Sequence, residues 1–190
     1  MTHIFIQINM SMLTIDGLRK LKGRAVYHPL GAIRLHFRGN MVYHFYSDQA
    51  PMMSDENIHT HPYSFKSTVY KGGVRNIVYH YEEAENETEC RLLERACREG
   101  ACEQNKYENV DFYEALRFET LAGESYNIHH SVMHKIELVE PKTVTLLEKG
   151  PVIGDALFIL DKDIVWNDEE LFNLKPEEEC WEIIEYTLTQ

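Results

Sequence analysis

His59 and His61 stand two residues apart, and on an extended backbone that spacing sends both imidazoles to the same face. Two neutral ring nitrogens on one face are the start of a metal site or of a polar recognition surface. Pro62 has no amide to donate and marks a strand end, an edge or a bulge. The run Phe65 to Tyr70 is aromatic or β-branched and suits a strand, and Gly72-Gly73 then turns the chain. A second concentration of histidine follows downstream, at His129, His130 and His134. His129 and His130 are adjacent, so only one of them can face a given cavity.

Other side chains near these runs could serve a pocket. Tyr63, Tyr70 and Tyr126 are candidates for its lining, set against the ordinary packing role of tyrosine in sandwiches. Strict alternation from His61 sends Phe65 inward and Lys66 outward, unless Pro62 induces a bulge; facing in, Lys66 would pair with an anion. Arg34 and Arg75 could clamp a carboxylate or phosphate, although exposed surface arginine is the commoner state. His36 and His44 lie among aromatic neighbours and are read as barrel packing. The chain has no Gly-x-Gly-x-x-Gly, no Walker motif and no Gly-x-Ser-x-Gly elbow. No catalytic residue is assigned.

The stretch His59-Thr60-His61-Pro62-Tyr63-Ser64-Phe65-Lys66-Ser67-Thr68-Val69 through Gly72-Gly73 resembles the first motif of the cupins, the double-stranded β-helix barrels. That motif runs His-x-His, three or four residues, a Glu, six residues and a Gly. Here the Glu position falls on Phe65 or Lys66, so the usual ligand set of three histidines and a glutamate does not carry over whole. The wording is also similar to a group of small cupin-like proteins of phages and bacteria, in which a Gly and a Tyr precede a His-Lys-Ile and a Thr-rich strand. Gly123, Tyr126, His134-Lys135-Ile136 and Thr143-Val144-Thr145-Leu146 keep that order.

The resemblance implies that His59, His61 and His134 converge on one divalent transition metal, with His129 or His130 as substitutes for His134. Iron comes first, with zinc, manganese or nickel as alternatives; in a barrel that had lost its metal there would be none. It implies a small-molecule protein, an iron-dependent dioxygenase-type enzyme in the leading version. The alternatives are a non-enzymatic cupin that holds a small anionic metabolite, or an interaction protein with a vestigial pocket. Tyr63, Lys66, Tyr70, Arg75, Tyr126 and His130 are the pocket candidates. The expected partner is a small molecule, with pairing as a homodimer left open.

The elements that would position these groups are mostly strands. Residues 3–8 alternate like a strand, and 14–21 mix turn and helix signals before Gly23. Two aromatic-rich runs, 33–37 and 41–46, flank Gly39-Asn40 and read as a hairpin. Strands are also expected at 74–81, 143–147 and 156–160, with 111–121 extended or mixed. Residues 82–104 are acidic and rich in helix formers, and predict a peripheral helical insert able to act as a lid. The acidic segments 168–174 and 177–186 predict a helical C-terminal extension, with Pro176 starting the second helix. Together they predict an all-β chain, a cupin-type double-stranded β-helix barrel with a few peripheral helices. It forms one domain over 1–190, with a core at about 33–160, the insert at about 82–104 and the extension at about 168–190.

Composition bounds the function classes. A length of 190 residues with 44% hydrophobic content supplies one good core. The formal charge of −12 argues against nucleic acid, whose phosphates call for clustered Lys and Arg. No apolar run approaches the roughly 20 residues that span a bilayer, so no membrane partner is expected, and the expected compartment is the cytosol. Cys90, Cys97, Cys102 and Cys180 are too few for a disulfide scaffold and are expected as free thiols.

Overall fold

Alternating apolar and polar residues dominate the chain, and in the computed structural model they form thirteen strands among the described residues, 13–28, 31–50, 58–95, 103–163 and 175–189. The strands are β1 (Arg24–His28), β2 (Ala32–Phe37), β3 (Met41–Tyr46), β4 (Ile58–His59), β5 (Phe65–Lys71), β6 (Gly73–Glu83) and β7 (Cys90–Arg95). They continue with β8 (Glu103–Tyr107), β9 (Val110–Leu121), β10 (Ser125–Ile128), β11 (Met133–Leu138), β12 (Thr143–Lys149) and β13 (Ala156–Asp161). Two helices flank them, α1 (Ile15–Arg19) and α2 (Glu177–Leu188). The chain is all-β in class, as its alternation predicts. The expected strand at 3–8 and the acidic segment 168–174 lie outside the described residues.

The strands pair antiparallel into two sheets. One runs β1-β2-β3-β12-β5-β10, the other β8-β7-β13-β4-β11-β6-β9. An inner core joins them: Val42, Phe65, Val69, Tyr126, Ile128 and Leu147 of the first sheet meet Val74, Phe118 and Ile136 of the second. The result is a β-barrel. The β2–β3 hairpin forms as expected, with Arg38 and Gly39 both at positive φ in its turn. Gly72, at φ +70°, carries the chain from one sheet to the other. A Cβ there would run into the Thr143 hydroxyl and approach the Lys142 carbonyl at 2.9 Å, so only glycine fits.

The first sheet also buries its outer face. Ile33, Leu35, Phe37, Tyr43, Phe45, Val144 and Leu146 point away from the barrel and pack under Leu18 of α1 and Cys180, Trp181, Ile183 and Ile184 of α2. Pro176 is the N-cap of α2, and Lys71 closes its other end, donating to the carbonyls of Thr187 at 2.8 Å and Thr189 at 2.9 Å. With Ile33, Leu35 and Phe37 facing the helices, the intervening residues of β2 must face the barrel interior.

The helical insert expected at 82–104 is overturned. Glu82 and Glu83 end β6, 90–95 form β7, and 103–104 begin β8; residues 96–102 lie outside the described part. Leu92 and Leu93 decide the matter. Both are buried, and as strand neighbours they point to opposite faces, Leu92 toward Met133 and Ile159, Leu93 toward Ala156 and Phe158. A helix would put them on one side. Pairing with β13 over the length of β7 outweighs the local preference of the helix formers. β7 lies between β8 and β13, inside its sheet, which is no place for a lid. No helix among the described residues is long and apolar enough to cross a membrane.

Candidate metal centre and cavity

The central strands of the second sheet hold two of the three expected ligands face to face. His134 of β11 is the direct cross-strand partner of His59 in β4. β4 then ends, and His61 sits in a segment pinned by backbone bonds. The Thr60 N–H donates to the Leu157 carbonyl at 2.9 Å and the Ile153 N–H to the Pro62 carbonyl at 2.7 Å. Ser64 fastens the far side: its carbonyl accepts from Gly150 N–H at 2.8 Å and its hydroxyl from His130 N–H at 3.1 Å.

One ligand atom from each of His59, His61 and His134 lies within 4.8 Å of the others. Nε2 of His61 and Nε2 of His134 are 3.1 Å apart, so one ring donates to the other. Two imidazole nitrogens on one divalent metal, each about 2.1 Å from it, stand roughly 3.0–3.4 Å apart at angles between square and tetrahedral. The His61–His134 separation falls in that interval, whereas the triad as a whole spans up to 4.8 Å, so a side chain must shift to close all three on one ion. Burial and, after it, the neighbouring His59 ring lower His134 to about 3. Burial, then His59 and His134, hold His61 well below the usual histidine range. Both rings are thus neutral at pH 7, the state in which imidazole binds metal. Nδ1 of His134 is buried and has no hydrogen-bond partner among the described residues. These three histidines could hold a metal ion.

Phe65 packs against two of the three rings. Its ring centroid lies 4.8 Å from that of His61 and 6.0 Å from that of His134. His59 stacks on Phe158 at 5.6 Å. The donor set is therefore nitrogen set in aromatic carbon.

A cavity of about 300 Å³ opens from the triad, at the small end of the range for small-molecule sites. Phe65, Tyr126, Ile136, Leu138 and Leu147 give it apolar walls, and His28, Arg34, His44 and Tyr46 supply polar groups from β1, β2 and β3. Arg34 faces inward, which corrects its expected place on the surface. His44, expected as plain packing, borders the same cavity and is Arg34's direct cross-strand partner. His28 was not singled out at all. Burial first, then Arg34, lowers both His28 and His44 well below the ordinary histidine range.

The remaining expected pocket residues are dispersed. Tyr126 lines the cavity. Tyr63 flanks it, its ring 5.6 Å from that of His61, with Lys149 Nζ 5.0 Å from its centroid. Lys66 is exposed on the outer face of β5, as alternation requires. Tyr70 packs edge-on against Tyr43 at 6.0 Å in the outer core. Arg75 is corrected to the outer face of β6, where it bonds Glu119 at 2.6 Å and Glu137 at 3.3 Å across the strands. The His130 ring is tilted against that of His129 at 4.3 Å, does not line the cavity, and does not take the place of His134. Alternation within β2 and β3 could have found Arg34 and His44, had the outer face of that sheet been known to be covered.

No family model matches the chain, and no curated protein matches it. Among solved structures it has a slight likeness to the CBM22-1 xylan-binding domain from Paenibacillus barcinonensis Xyn10C. The identity is 11% and the TM-score 0.13, over 73% of this chain and 96% of that one. A likeness of that size carries no argument.

Proposed function

We propose that this chain is a cupin-like small-molecule protein whose His59, His61 and His134 hold one divalent transition metal, iron foremost, in an iron-dependent dioxygenase-type activity. The observation that carries the proposal is the convergence of three imidazoles, from β4, the segment after it and β11, on the lining of a largely apolar cavity. Bound there, a metal would supply a Lewis acid with open positions for a small molecule and dioxygen side by side.

The chain's own residues set the rest. Three neutral imidazoles leave the ion its whole positive charge, because no carboxylate among the described residues joins them to offset part of it. Such a site favours an anionic or chelating ligand. Phe65, Ile136 and Leu147 keep water from the ligand's body, which strengthens every charge interaction inside.

Metal analysis of the purified protein, with reconstitution by Fe, Mn, Ni, Zn or Cu, is the test. About one equivalent is expected. His59→Ala, His61→Ala and His134→Ala should each abolish it, and the outer-face variant Arg75→Gln should leave it intact. A chain that takes up none of the five metals overturns the proposal. With iron bound, small molecules released from a cell extract incubation decide the activity. A ligand consumed with oxygen by wild type and spared by His61→Ala supports the dioxygenase. One recovered unchanged and stoichiometric supports a binding role for the same cavity. Retention of a protein alone leaves the interaction role.

A further inference from the structure

The cavity has further polar lining that the triad does not supply. Arg34 adds to it from β2, opposite His44 of β3 in the ladder, and both border the same space as His59, His61 and His134. A guanidinium stays charged at every physiological pH. Its Nε is buried without a hydrogen-bond partner, and no ion pair reaches the group from the described residues. Among those residues Asp48 is the single carboxylate bordering the cavity. It is exposed and engaged elsewhere, accepting from the Ser47 hydroxyl at 3.3 Å and the Tyr186 hydroxyl at 3.5 Å.

Arg34 is half-buried, and a guanidinium drawn partly out of water without a counterion is a seat for an anion. His44, kept neutral by burial and by Arg34 itself, can donate a ring N–H to that anion. The cavity's apolar walls include Phe65, Ile136, Leu138 and Leu147. They match hydrocarbon, not a sugar or a polyanion.

We propose that Arg34, seconded by His44, binds the carboxylate of a small ligand with an apolar body, an aryl or short alkyl monocarboxylate. Placing the ligand's other end at a metal-holding triad rests on the reading above; the carboxylate seat does not. The cavity's small volume admits a single ring or a short chain.

Benzoate and its uncharged isostere benzamide are the probes, added to full-length protein freed of metal by chelation and again after reconstitution. The Arg34 Nε–H cross-peak in a nitrogen–proton spectrum is the readout. Benzoate is expected to move it saturably in both preparations, and benzamide to leave it still. Arg34→Gln should weaken benzoate by roughly tenfold or more, the worth of a charge-assisted bond, with Arg75→Gln unchanged. Equal binding of benzamide, an unmoved cross-peak, or benzoate affinity kept in Arg34→Gln overturns the proposal. The probe pair in wild type decides even if Arg34→Gln fails to fold. Benzoate binding is expected to persist in a metal-free His134→Ala chain, which shows that the seat does not depend on the metal. Metal uptake without benzoate binding would remove this proposal and leave the metal centre standing.

Discussion

Histidine carries the proposed metal centre and an acid sensitivity at the scale of single residues. His28 and His44 are held neutral, first by burial and next by Arg34, and burial with Lys149 lowers His36 to about 4. In the unfolded chain each titrates near 6.5. Below that pH the unfolded chain binds more protons than the folded one, so stability is fully present above about 6.5 and falls as pH drops toward the folded values. Urea melts of chelated protein should show stability declining between pH 7 and pH 5. His44→Gln removes one such proton and should flatten the slope by up to about 1.4 kcal/mol per pH unit. An unchanged slope would mean that the His44 ring charges freely in the fold. His59 and His61 were legible in sequence, since a gap of one residue fixes a common side. Arg34 and His44 were misjudged, because alternation tells which residues share a face and not which face looks inward.

At the scale of elements, the reversal in 82–104 has a measurable consequence. β7 is paired on both sides, by β8 and β13, and buries Leu92 and Leu93 on opposite faces. Amide exchange at Leu93 should therefore be as slow as at Val69 in the middle of β5, whereas a peripheral helix would exchange much faster. Composition was the wrong guide there: Glu, Arg and Leu favour a helix in isolation, but the ladder to β13 exists only once the barrel has closed. α2 was legible, because its apolar residues recur at helical spacing after Pro176. Its task was not. Trp181 and Ile184 cover the outer face of the first sheet, and Ile184 is fully buried. Ile184→Ala should cost about 2–5 kcal/mol in denaturant unfolding while leaving the triad's metal uptake intact. A loss under about 0.5 kcal/mol, typical of surface sites, would mean that the helix does not seal the sheet.

For the molecule as a whole, the proposed metal would tie two separate stretches of chain together, since β4 and β11 lie far apart in sequence and meet through His59 and His134. A ligand bound by the folded state alone raises stability by mass action, about 2.7 kcal/mol at one hundred times its Kd. Chelation should then lower the Tm of the reconstituted wild type and leave that of His134→Ala unmoved. Equal Tm shifts in both would place the metal elsewhere. The sequence by itself determined the all-β class, the β2–β3 hairpin, the C-terminal helix and the pairing of His59 with His61, because each follows from local period, turn chemistry or spacing. Only the tertiary structure decided that His134, and not His130, completes the triad, that 90–95 is a strand, and that Arg34 looks into the cavity. Those outcomes turn on which surfaces are covered by α2, β13 and the opposite sheet, and contacts between distant segments leave no mark in the local pattern of any one of them.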